Sequence, residues 1–373
     1  MKYFIHFISF FVFVGSSPFS TVNAQQTNFS LLSANYLELN PAYAAIQPGG
    51  TLYLHYRKQW LNIPGTYDKY NLAISSVNRA FNNLNVGVGF TADREIEGEG
   101  LFKRDSYGLV VAMSSIGGNN GIGGRQSNSN ANFAVGVKFN YNFLTIDWEN
   151  LTFGDQIDPV LGPIFPTQAI LPDSPNPNYF NFEIGGLFRS NQLVVGVNMK
   201  NIFLGYTDVS LYGLRLDEKL QLLSTHASFM FGINPQKFYL EPIAKLDYYF
   251  QSKLSSISIG TNLACVFSGG KSNLNQTGYQ TLFAGLYYHQ RPQFIGNKLQ
   301  TTGALVMSLG FKIKPKDNTI QIVTSYEANG GSLANRQSGG TFECALKFNM
   351  GKGWSGKNTA CDFLKSEFDF GKM

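Results

Sequence analysis

Stretches of about ten residues in which apolar side chains alternate with small or polar ones recur along most of the chain, and this period of two constrains the fold more than any other feature. Leu84, Val86, Val88 and Phe90 alternate with Asn85, Gly87, Gly89 and Thr91. A strand sends successive side chains to opposite faces, so the segment presents one apolar face and one small or polar face. The same sorting separates Phe133, Val135, Val137, Phe139, Tyr141 and Phe143 from Ala134, Gly136, Lys138, Asn140 and Asn142, and it returns at 193–199, 257–267, 320–326 and 342–348. Strands of soluble sheets usually run about five or six residues, whereas a tilted membrane-crossing strand needs about 9–11. The pattern predicts an all-β fold, a transmembrane antiparallel β-barrel with its apolar face toward lipid.

Composition excludes the main alternatives. Charged residues make up 14% of the 373 residues, against about 25% in soluble globular chains. Gly and Pro number 39 and 14, too few for a disordered low-complexity chain. Mean hydropathy is −0.10, and after the first twenty-odd residues no apolar run approaches the ~18 of a spanning helix. The formal charge is +5 with Lys and Arg scattered, so no nucleic-acid partner is expected, because a phosphate-binding face needs a concentrated basic stripe. Cys265, Cys344 and Cys361 are odd in number and lack CxxC spacing, which supports neither a zinc knuckle nor a disulfide framework. Cys265 and Cys344 read instead as small apolar side chains in strands.

The first residues set the compartment. Met1-Lys2 gives a positive start, residues 3–15 an apolar run, and residues 16–24 a polar tail closing on Val22-Asn23-Ala24. This is the pattern of a secretory signal peptide, residues 1–24, cut between Ala24 and Gln25. Its apolar core is short for a membrane anchor, and Gln25 rules out a lipoprotein signal. The expected location of the mature protein is the outer membrane, with the barrel over 25–350 and a C-terminal tail over 351–373.

Segments of the alternating kind fall near 51–57, 67–77, 84–92, 105–115, 131–145, 179–189, 192–200, 223–233, 236–247, 254–267, 280–290, 302–313, 318–327 and 340–349. About fourteen strands is an even number, as single-chain bacterial barrels require. The connections at 190–191, 234–235 and 314–317 are short and of one parity, while the longest insertion, 146–178 with seven prolines, has the other. Short turns lie on the periplasmic side and long loops outside, which orients the chain. Connections 116–130 and 268–279 are long on the short side, so either they are periplasmic contact loops or the register slips there. Tyr and Phe cluster at many strand ends, for example Tyr53, Tyr56, Tyr107, Tyr179 and Tyr288, where rings with one wet edge suit the bilayer interfaces.

Candidate chemistry is sparse. His55, His226 and His289 sit in or beside strands without Cys, Asp or Glu at ligand spacing, and read as satisfied or lumen-facing side chains. The run Asp93-Arg94-Glu95-Ile96-Glu97-Gly98-Glu99 lacks the alternating ligands of a calcium loop and reads as a solvated external loop. The glycines of 117–124 lack a following GK[ST] and read as flexible turn. With no nucleophile–base pair, no enzyme activity, cofactor or metal site is expected.

Several runs carry a resemblance. Asn40-Pro41-Ala42-Tyr43-Ala44, followed by Tyr56-Arg57-Lys58-Gln59-Trp60, resembles the opening of the PorP/SprF family of the type IX secretion and gliding machinery of the Bacteroidota. Gly154-Asp155-Gln156, within 153–158, is similar to the family's GDQ segment. Ser325-Tyr326-Glu327 followed by Gly339-Gly340-Thr341-Phe342-Glu343 is similar to its closing SYD and GG-x-x-E pair. The chain departs from the pattern where Met199-Lys200-Asn201-Ile202 stands in place of a His-Leu pair, where Glu327 replaces Asp, and in its longer tail.

The resemblance implies an outer-membrane protein that supports export or surface attachment of a partner with a C-terminal sorting domain, such as a large adhesin. It also implies contact with other type IX components, among them a periplasmic, peptidoglycan-linked partner. The alternative from another class is a passive or substrate-specific, porin-like channel. Arg57 and Trp60, at a strand end, are expected at a bilayer interface as anchors or cargo contacts. Gly154, Asp155 and Gln156 are expected to form a turn that folds the insertion into the lumen or across its mouth. Val135 and Val137 are expected to face lipid and Lys138 the lumen, with substitution of Lys138 the milder change.

Overall fold

The computed structural model describes residues 29–350, apart from 48, 64, 66, 82–83, 99–101, 116–130, 148–150, 159, 169–177, 191, 204–209, 212–213, 216–220, 235–237, 251–252, 269–278, 296–297, 315–317 and 331–337. The expected signal peptide at 1–24 and tail at 351–373, with Cys361, lie outside the described residues.

Fourteen antiparallel strands close into a barrel. They are β1 (Gly50–Gln59), β2 (Tyr67–Phe81), β3 (Leu84–Glu97), β4 (Phe102–Ser115), β5 (Asn132–Ile146), β6 (Asn178–Arg189), β7 (Leu193–Phe203) and β8 (Leu222–Phe229, resuming as Phe231–Asn234). The remainder are β9 (Phe238–Tyr249), β10 (Leu254–Ser268), β11 (Tyr279–Ile295), β12 (Lys298–Lys314), β13 (Thr319–Asn329) and β14 (Thr341–Met350). Each pairs with its neighbour in sequence, and β1 pairs with β14 from Gly50↔Met350 to Gln59↔Thr341, which closes the ring. Closure leaves no open edge, the condition for sheet in lipid. All fourteen expected strands are present. The hairpin of β11 and β12 reaches further than its alternation suggested, paired through to Ile295↔Lys298. The register holds to Ser114↔Ala134 and to Ser268↔Tyr279, so it does not slip at the two long even-to-odd connections.

Exposure is that of a membrane wall. Leu109, Val111 and Met113 of β4 are 62%, 49% and 47% exposed, while the intervening Val110, Ala112 and Ser114 are 1–3% exposed. On β5, Phe133, Val135 and Phe139 point outward while Ala134, Lys138, Asn140 and Asn142 are buried inside. Cys265 and Cys344, both free thiols, sit in β10 and β14 as expected.

Residues 29–47 fill the lumen. Asn35 caps a one-turn helix, α1 (Tyr36–Leu39), accepting from the Leu37 and Glu38 amides, and Asn40 caps the 3-10 turn Pro41–Ala45 by accepting from the Ala42 amide. Side chains here are short and polar enough to satisfy their own backbone, which lets so brief a segment hold its shape. It runs the length of the barrel. Ser30 meets Arg57, Glu327 and Glu343, each two residues from the end of its strand, and the Ala45 carbonyl accepts from Ser114 at the opposite end. Gly87, Gly136 and Gly185 face it from β3, β5 and β6, and a Cβ at any of them would run into Ala44, Ala42 or Asn40. Glycine is the residue that lets two backbones approach this closely. Apolar contacts complete the fit: Leu37 and Ala44 pack on Tyr53, Ala73 and Val110, Leu31 on Phe283, Val323 and Ala345, and Leu32 on Ile243, Tyr287 and Val306.

Candidate functional site

The site is the upper half of this filled lumen and the seam beside it. Arg57 is 1% exposed and points inward from β1. The expectation of an interfacial anchor is therefore corrected: Arg57 shares the parity of Tyr53 and His55, which are buried, whereas Leu54 on the other parity is exposed. Its guanidinium donates to Glu343 and lies 3.2 Å from Glu327 Oε2. Arg291 Nη1 donates to Glu327 Oε1 at 2.9 Å. Two cations thus face two carboxylates in a water-excluded position, an arrangement that removal of either charge would make costly.

The N-terminal segment enters this cluster as a further partner. The Ser30 and Leu31 amides donate to the two carboxylate oxygens of Glu343 at 2.8 and 3.0 Å. The Ser30 hydroxyl accepts from Arg57 at 2.6 Å and from Arg291 at 3.1 Å, and donates to Glu327. Phe29 stacks on His55 with centroids 3.7 Å apart, and Lys69 sits 4.8 Å over the Phe29 ring. His55 Nε2 is 3.4 Å from Glu343. The cluster latches the start of the segment to β1, β11, β13 and β14.

A second set of charges holds the middle. Glu38 of α1 lies 3.7 Å from Lys138 and 3.8 Å from Lys200, whose ammonium also donates to the Glu38 carbonyl at 2.5 Å. Lys138 is 3.3 Å from Glu183. Lys138 does face the lumen as expected, but its substitution is not the mild change expected of a lumen residue, because it is buried in this ion-pair set. Asn198 donates to the Leu39 carbonyl at 3.3 Å, and Asn40 donates to the Gly186 and Val197 carbonyls at 3.1 and 3.0 Å. The histidines are satisfied lumen side chains, as expected: Tyr43 meets His226 Nε2 at 3.2 Å, and Ser258 meets His289 Nδ1 at 2.6 Å.

The motif residues fall in three places. Arg57, Gln59, Trp60, Tyr326 and Glu343 gather at the β1–β14 seam. Gln59 accepts from Arg57 at 3.5 Å, and the Trp60 amide donates to the Gly340 carbonyl at 2.8 Å. Tyr326 donates to the Gly339 carbonyl at 3.0 Å. Gly339 and Gly340 have φ of +71° and +70°, a left-handed pair that favours glycine, which explains the GG of the closing motif. Asn40 and Pro41 lie deeper in the lumen. Gly154, Asp155 and Gln156 stand apart as a 3-10 turn in the insertion between β5 and β6, neither buried nor in the lumen. Asp155 accepts from the Gln168 amide at 2.6 Å and from Thr167 at 3.1 Å, which holds its carboxyl below the usual carboxylate range.

Sequence reasoning missed Ser30, Glu38, His55 and Arg291 as latch residues. It also placed 93–99 in an external loop. Residues through Glu97 belong instead to β3, where Glu95 is buried between Lys69, at 2.9 Å, and Arg104. The missed signal is parity: Glu95, Lys138, Glu183 and Lys200 all occupy inward positions of strands whose outward positions are apolar.

Solved outer-membrane barrels share the architecture at low identity. A Pseudomonas aeruginosa FadL homologue is 11% identical, with 83% of this chain and 93% of that one covered and a TM-score of 0.43. For the TodX monoaromatic hydrocarbon channel the values are 10%, 83%, 92% and 0.43. For the translocator domain of the autotransporter NalP from Neisseria meningitidis they are 10%, 80%, 87% and 0.32. No protein of curated function matches the chain. The family described as type IX secretion system membrane protein PorP/SprF matches residues 21–348, a span that takes in the latch, the filled lumen and every strand but the last two residues of β14, and the chain, an outer-membrane β-barrel, belongs to that family.

Proposed function

We propose that this outer-membrane component of the type IX secretion system supports export or cell-surface attachment of a sorting-domain protein, such as a large adhesin, as a closed, non-catalytic scaffold. The observation that carries the reading is the lumen filled by residues 29–47 and latched by Ser30 to Glu343, Arg57, Glu327 and Arg291. A pore for solutes needs a polar passage, whereas here the inward glycines admit backbone and the inward charges are spent on one another and on Glu38. Buried polar groups satisfied in this way favour a fixed structure over an open one. The protein would contact its exported partner from outside and other type IX components, including a periplasmic peptidoglycan-linked one, through its turn end.

The experiment is a deletion strain scored two ways: whole-cell labelling of surface proteins and uptake of small solutes. The scaffold reading expects one or a few sorting-domain proteins to vanish from the surface with uptake unchanged. Normal display with slowed uptake of a nutrient would overturn it and promote the channel.

A further inference from the structure

The insertion between β5 and β6 ends in a small hairpin whose side chains have nothing to cover them. Ile157–Asp158 pairs with Gly162–Pro163, and Ile157, Val160, Leu161, Ile164 and Phe165 are 52%, 88%, 70%, 53% and 49% exposed. An apolar cluster this exposed, away from the barrel wall, marks an interaction surface. It is held in place by the family-motif residues. Asp158 accepts from the Val160 and Leu161 amides at 2.8 and 2.9 Å, and the Gln156 carbonyl accepts from the Ile164 and Phe165 amides at 3.0 and 3.2 Å. A surface already fixed in shape loses little freedom on binding.

Charge selects the occupant. Residues 147–177 contain Asp147, Glu149, Asp155, Asp158 and Asp173 and no Lys, Arg or His, in a chain whose net charge is +5. Five carboxylates are repelled by the phosphates of a membrane surface. They are equally repelled by the same insertion of a second copy, which a two-fold contact would set against itself. We propose that this apex is the docking surface for the secreted partner, and that the partner offers an apolar groove rimmed by Lys and Arg. The proposal rests on the scaffold reading above and names the surface through which it operates.

The test uses the full-length protein in its own cells. A photo-crosslinking amino acid replaces Leu161, and separately Val160→Ser and Leu161→Ser are combined, since residues this exposed can change without disturbing the barrel. Heat-modifiable gel migration verifies assembly in each. The expected result is a crosslink to one of the proteins lost from the surface of the deletion strain, and a fall of about tenfold in its display in the double variant. Crosslinks to lipid or to a second copy alone, or full display in the double variant while the deletion strain loses it, would overturn the docking surface and leave the scaffold standing. Full display in the deletion strain itself would overturn both.

Discussion

Arg57 and Glu343 occupy directly opposed positions on the first and last strands, so their ion pair spans the seam at which the barrel closes. The same carboxylate accepts the amides of Ser30 and Leu31. One residue therefore ties together barrel closure and lumen filling, two features that the chain contributes from positions about 300 residues apart.

The first prediction concerns that pair. Glu343→Ala leaves Arg57 short of a partner and two amides bare, and breaking a buried pair costs about 3–5 kcal/mol. The midpoint of urea unfolding in detergent should fall accordingly, and protease should gain access to residues 29–47. An unchanged midpoint would remove the latch from the account.

A second prediction separates the two faces of β5. Val135 is 57% exposed to lipid, so Val135→Arg should cost roughly 2–4 kcal/mol near mid-membrane. Lys138→Met is costly for a different reason, the loss of partners for Glu183 and Glu38. A double-mutant cycle of Lys138→Met with Glu183→Gln should give a coupling of about 1 kcal/mol or more. Additive effects would mean that the lumen ions are independent.

The third concerns Gly136, where a Cβ would lie 2.6 Å from the Ala42 amide nitrogen. Gly136→Val should displace the 3-10 turn while leaving the outward face of β5 intact. Hydrogen exchange should then rise in 40–46 and stay unchanged in the strands. Protection retained in 40–46 would contradict the close fit.

The fourth is a pH dependence in the insertion. Asp155 and Asp158 accept backbone amides, and those bonds hold both carboxyls below the usual range. A carboxyl depressed in the folded state contributes its stability above its unfolded value, about 3.9, and loses it as pH falls through the folded value. The hairpin should resist proteolysis unchanged from pH 8 to about pH 5 and lose resistance only below about pH 4. Loss of resistance between pH 7 and 5 would contradict the assignment.

The strands were legible because a barrel wall imposes one rule on every residue, outward apolar and inward small or polar, and that rule survives in the sequence at Leu109–Ser114 as plainly as at Phe133–Asn142. The filled lumen was not legible, because its partners are set by three-dimensional closure. Nothing local tells Asn40 that Gly185 will make room for it, or Ser30 that Glu327 and Glu343 will converge. Arg57 was misplaced for an instructive reason. Its position near a strand end suggested an interface, yet parity with His55 was on the page and places it inside. The same parity reassigns Glu95 from solvent to the lumen.

The central claim is a sealed lumen, and conductance of the purified barrel in planar bilayers tests it most directly. The intact protein should insert without steady ion conductance, while Gly136→Val or Glu343→Ala should conduct, since each frees residues 29–47 at a different point. Large, stable conductance by the intact protein would contradict the sealed lumen and return the molecule to the class of channels.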